Sequence, residues 1–209
     1  MNKTVVPLKI VILVFCALLA GAALLSSCSD DNNKSKPKGN FKIGSSAQSL
    51  YGGVLFYDVD PSYNAEEELY YRNEILLFSD GLKPQEEEDG EVEVLGKGDA
   101  LSIEIVSSSN ELEAGTYVWG SEDDPQEFQV WDASAYVNFD TSTGTGDRYS
   151  FTEMELTITK EDDKYTITFS GVVYPTLIVD GDDWGPDLEA DPINVTGTYT
   201  GLVHGYSAE

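Results

Sequence analysis

The chain has 209 residues, with 38 Asp and Glu against 12 Lys and Arg and a formal net charge of −26. Such a charge excludes nucleic acid as a default partner, because a phosphate backbone is met by a basic face. One His and two Cys are too few for the usual zinc sites, which draw on several of either.

The first element is a leader. Lys3 and Lys9 precede an apolar run over residues 10–24, which Leu25-Ser26-Ser27-Cys28 closes. A run of about 15 residues falls short of the roughly 20 that span a bilayer, and no basic stop-transfer flank follows it. The pattern predicts a cleaved lipoprotein signal peptide over residues 1–27, with small Ser26 and Ser27 before an acylated Cys28. Several acyl chains on one Cys would fix the protein to a membrane. Cys16 would leave with the leader and Cys28 would carry lipid, so the folded part is expected to stand without disulfides. All the acidic residues lie after the leader, which takes the net charge without it to about −28.

Residues 28–40 read as the lipidated Cys and a flexible tether, since 29–40 are polar and hold Lys, Asn, Pro and Gly. Asp30 and Asp31 resemble the acidic export signal of Bacteroidota lipoproteins. That resemblance implies an outer-membrane address on the cell-surface side, with the periplasmic side as the alternative.

Residues 41–209 read as one β domain. No segment keeps an apolar stripe at helical spacing for three turns, and period-two alternation recurs instead. Val92 and Val94, then Leu101, Ile103 and Ile105, then Met154, Leu156 and Ile158, then Tyr165, Ile167 and Phe169 alternate with polar neighbours. Further strands are expected over 54–59, 74–78, 116–119, 128–139 (with a break near Ala133) and 195–203. Residues 153–170 make the clearest hairpin, with 160–164 as a five-residue loop. A helical turn is expected near 64–71, where Asn64 could cap. Residues 83–90 and 180–192 are the longest irregular stretches. About nine strands with one wet face predict an all-β fold, either a single antiparallel β-sandwich or a calycin-like β-barrel.

Three segments resemble surface lipoproteins of gut-type Bacteroidota, in which a β-rich domain follows a lipobox and tether. They are Leu112-Glu113-Ala114-Gly115-Thr116-Tyr117, the stretch from Ile158 to Gly171, and Gly197-Thr198-Tyr199-Thr200-Gly201. The resemblance implies location and fold class, often with a role in polysaccharide capture, and no active-site residues come with it.

Catalysis has thin support in the residues. Ser-His-Asp chemistry needs a His oriented by a carboxylate, and the lone His204 lies near the C-terminus. Two carboxylates could hydrolyse a glycoside, but among 38 acids some pair meets any spacing by chance. Calcium is the best-supported ion, through Asp180, Asp182, Asp183 and Asp187 in a Gly-containing acidic loop. The loop matches an EF-hand only in part: Trp184 stands at the fifth ligand position and Asp191 where a bidentate Glu is usual. Trp119, Trp131 and Trp184 are candidate sugar platforms, with core packing the alternative for the two on strands. The expectation is a non-catalytic binding module at the cell surface, with a glycan or glycoprotein as ligand. An accessory subunit of an outer-membrane protein complex comes second, and a glycoside hydrolase third.

Overall fold

The computed structural model describes residues 36, 38–58, 62–63, 68–86, 92–120, 125–180 and 183–208. The leader, Cys16, Cys28, Asp30, Asp31, Asp182 and residues 64–67 of the expected helical turn lie outside them, as do the side chains of Asp180, Asp183 and Trp184. Among the described residues no helix is long and apolar enough to cross a membrane.

Every element is a strand: β1 (Gly39–Ile43), β2 (Ser46–Leu50), β3 (Gly52–Asp58), β4 (Ser62–Tyr63), β5 (Leu69–Phe78), β6 (Leu82–Glu86), β7 (Val92–Ser107), β8 (Gly115–Trp119), β9 (Gln129–Asp140), β10 (Thr145–Glu161), β11 (Lys164–Asp180), β12 (Asp183–Pro186), β13 (Ile193–Gly201) and β14 (His204–Ala208). They form one open sheet in the order β14-β3-β5-β7-β9-β8-β10-β11-β13-β1-β2. Off this path, β4 joins β5, β6 joins β7 and β12 joins β11.

The all-β class is as expected, while the detail differs. The sheet is mixed, not purely antiparallel, because β14 runs parallel to β3 and β8 parallel to β9. Among the described residues fourteen strands replace about nine, since short polar strands such as β2, β4 and β6 carry no apolar alternation. β1 begins at Gly39, so the last residues of the expected tether pair with Tyr199 and Thr198. Leu69 to Tyr71, expected as helix, belong to β5. β9 runs unbroken through Ala133; the irregularity nearest it is a bulge against β7 at Trp131, between the pairs Ile105–Val130 and Glu104–Asp132, and a second lies between Tyr136 and Phe139. The five-residue hairpin loop shrinks to Asp162 and Asp163, because Glu161 pairs with Lys164. Asp162 supplies the left-handed residue, with φ 52°.

β2 and β3 lie at or near opposite ends of the strand order, yet only Tyr51 separates them. The sheet therefore curls until its ends approach. One interior cluster accordingly takes Phe41 and Leu50 from one end, Leu55 and Ile75 from the other, and Ile103, Leu156, Ile167 and Tyr199 between them. That interior is filled with side chains. Gly197 belongs to it, where any Cβ would collide with the Phe169 ring and crowd Phe41.

The segments that carry the family resemblance are structural. Tyr117, fully buried, donates its hydroxyl to the Glu113 carbonyl at 3.0 Å and meets Phe128 edge-on at 5.2 Å. Gly115 leaves the space for that ring. Tyr199 repeats the device, donating to the Leu202 carbonyl at 2.7 Å.

Candidate functional site

The interior is lined by buried apolar side chains, and the polar and aromatic groups that could meet a ligand lie on the outer face. On the outer face the register sets side chains in rows. Glu74 of β5, Glu104 of β7 and Asp132 of β9 lie directly opposite one another. The next row is Leu76, Ser102, Ser134 and Ser150, and the one after it Phe78, Ala100, Tyr136 and Arg148. Like charges opposite each other at the strand spacing of about 4.8 Å repel. The two arginines of the chain flank this acidic row on the same face.

Arg72 lies with its guanidinium carbon 5.3 Å from the centre of the Trp131 ring. Tyr70, two residues earlier on β5 and so on the same face, stacks on Trp131 at 6.5 Å and 20°. The bulge at Trp131 turns this indole outward, toward Tyr70 and Arg72. The result is a half-buried aromatic platform of Tyr70 and Trp131, with the Arg72 guanidinium over the indole and carboxylates beside it.

Beyond the acidic row lies a cleft of about 400 Å3. Leu76, Ala100, Ser102 and Tyr136 lie on its sheet side. Leu82 and Val94 come from the β6–β7 arm, while Phe139, Thr141 and Gly144 come from the β9–β10 turn. The two walls are tied together: the Thr141 amide donates to the Gly96 carbonyl at 3.0 Å, and the Gly96 amide donates to Thr141 Oγ1 at 2.9 Å. Asp140 orders the turn by accepting from the Ser142 amide and hydroxyl, which holds its carboxyl below the usual range. Gly96 takes φ 126° with the Gly81 carbonyl where a Cβ would stand, so the arm needs glycine there.

The polar groups of the cleft are few and directed. Ser102 donates to Glu74 Oε1 at 2.6 Å. Arg148 donates to Ser134 at 3.3 Å and lies 5.4 Å from the Tyr136 ring centre. Burial pushes the Tyr136 hydroxyl up; Arg148 pulls it down, Glu74 pushes it up again, and the Ser134 bond and Asp132 act as smaller opposing effects. Carboxylate acceptors, guanidinium donors and hydroxyls thus converge on an apolar cleft, an arrangement suited to small polar ligands with one greasy side.

Two shallower depressions lie on the face of β10, β11 and β13, lined by Lys42, Glu155, Thr157, Thr168, Thr196 and Thr198 among others. They have no exposed aromatic ring to stack a ligand.

Of the candidate residues whose side chains are described, Trp131 alone enters the platform. Trp119 is half-buried against the main core. Trp184 lies in β12, and Asp180 pairs with Asp183 along the β11–β12 backbone. Asp187 accepts the Glu189 amide at 3.1 Å in a local turn. Among the described residues no group of three or more His, Cys, Asp or Glu could hold a metal. His204 is exposed on β14. Nothing in the sequence marks Tyr70, Arg72, Glu74 and Arg148; the strand register brings them to one face. Neither a protein-family model, nor a curated protein, nor a solved structure matches the chain, so the functional reading rests on the site's own chemistry.

Proposed function

We propose that the chain is a lipoprotein, anchored in the outer membrane through Cys28 and facing the cell exterior, whose β domain is a non-catalytic glycan-binding module. The observation that carries the binding reading is the Trp131–Tyr70–Arg72 platform beside in-register Glu74, Glu104 and Asp132. Sugar rings offer apolar C–H faces to flat aromatics, while carboxylates and guanidinium groups take their hydroxyls. The lipobox and the acidic residues after Cys28 support the address. The passage from β2 to β3 through Tyr51 alone favours the calycin-like barrel over the sandwich. Its filled interior leaves the outer face for binding.

Affinity electrophoresis of the full chain through gels cast with a polysaccharide panel tests the binding. Retardation in at least one gel is expected, with the glycan recovered intact. Release of reducing sugar would move the reading to a glycoside hydrolase, the acidic row then supplying the carboxylate pair. No retardation in any gel would remove the glycan reading. The anchor is tested separately by labelling cells with radioactive palmitate. The label is expected on the chain and absent from Cys28→Ala; a chain that never takes label has no lipid anchor.

The accessory-subunit reading has one observation of its own. The outer edge of β14 has no strand partner among the described residues, and such an edge can accept a strand from another protein.

A further inference from the structure

The cleft beside the platform has a composition that discriminates among sugars. A hexopyranose carries a hydroxyl or hydroxymethyl group at nearly every carbon, and a hydroxyl pressed against hydrocarbon without a partner is penalised. Glu74, Ser102, Tyr136 and Arg148 bring polar side-chain groups to the cleft, while Leu76, Leu82, Val94, Ala100 and Phe139 bring hydrocarbon. Thr141, which also borders it, spends its hydroxyl on Gly96, accepting from the amide at 2.9 Å and donating to the carbonyl at 3.2 Å. Leu82, Val94 and Phe139 therefore form a wall with no side-chain donor of their own. A cleft of about 400 Å3 lies within the range of about 300–1,000 Å3 that holds small ligands.

We infer that this cleft binds a 6-deoxyhexose residue of the glycan, its C6 methyl group against Leu82, Val94 and Phe139 and its ring hydroxyls toward Glu74, Ser102 and Arg148. The inference rests on the reading of this face as a glycan site and names the sugar. An ordinary hexose would drive its 6-hydroxyl into hydrocarbon. An N-acetylhexosamine also carries a methyl group, but brings an amide N–H and C=O with it to the side that lacks partners. A 6-deoxyhexose divides as the cleft does, with hydroxyls on one edge and a methyl group on the other. The Gly96–Thr141 clamp holds the β6–β7 arm against the turn, so the hydrocarbon walls stand before the sugar arrives.

The experiment is calorimetric titration of the full chain with matched methyl glycosides: α-L-fucoside against α-L-galactoside, and α-L-rhamnoside against α-L-mannoside. Each pair differs only by the 6-hydroxyl. At least one deoxy member is expected to bind about 10- to 100-fold more tightly than its hydroxylated counterpart, the discrimination a hydrophobic pocket achieves against an added hydroxyl. Saturation-transfer NMR is expected to show its strongest signal at the C6 methyl. Val94→Thr, nearly isosteric, is expected to keep the fold and cut the preference several-fold. Equal binding within both pairs, or a preference for methyl N-acetylglucosaminide, would overturn the inference. If polysaccharide retardation by the intact platform persists in that case, the glycan reading stands while the assignment of the sugar fails. Loss of both would sink the two together.

Discussion

Tyr199 shows how one residue couples the core to pH. It is fully buried, and burial raises its hydroxyl from 10.0 to about 12. Tyr117 moves in the same direction through burial, with Glu113 and Glu127 adding to it. A phenol whose folded pKa is raised favours the folded state while protonated in both states, so this contribution is complete below pH 10. It is lost as pH rises from 10 toward about 12, where the unfolded chain ionises first. Denaturant titrations from pH 8 to 12 are therefore expected to show stability falling above pH 10. Tyr199→Phe should cost about 1 kcal/mol at neutral pH through the lost bond to Leu202 and flatten the alkaline fall. An unchanged alkaline slope would show that Tyr199 is not the group responsible. At this scale the sequence was legible only in part: Tyr117 and Tyr199 belong to recognisable segments, but their hydroxyl partners are backbone carbonyls that no pattern names.

Among the elements, the β10–β11 hairpin is the clearest unit in the sequence, and its two strands are in register as the alternation implies. Its turn is shorter than the sequence suggests: Lys160, Glu161 and Lys164 look like loop residues, yet the paired strands extend to Glu161 and Lys164. Asp162 then carries φ 52°, a conformation that Asp tolerates and β-branched residues do not. Asp162→Val is expected to lower stability by about 1–2 kcal/mol, read as a shift in urea midpoint with unchanged slope. A neutral result would mean that the turn relaxes without cost. The polar strands β2, β4 and β6 were invisible for a related reason: neighbouring strands hold them in place, and their own apolar pattern is weak. β6, with burial only at Leu82, is a wall of the cleft all the same.

At the scale of the β domain, the described residues form a curled sheet around a buried apolar core. Its composition foretold the class, since alternation and turn residues leave few other folds. It could not foretell the site, because the platform joins Tyr70 and Arg72 of β5 to Trp131 of β9 across β7, and register is a property of the assembled sheet. Trp184 drew attention by lying among charges, and Trp131 looked like core. The structure gives Trp131 an aromatic neighbour and a cation, while the side chain of Trp184 lies outside the described residues. The most direct test is affinity electrophoresis of the full chain beside Trp131→Ala, Trp119→Phe and Trp184→Ala, in the gel that retards the parent. Trp131→Ala is expected to run as though no glycan were present, with the other two retarded as the parent is. Retardation that survives in Trp131→Ala, or disappears only in Trp184→Ala, would contradict a site on the outer face of β5, β7 and β9.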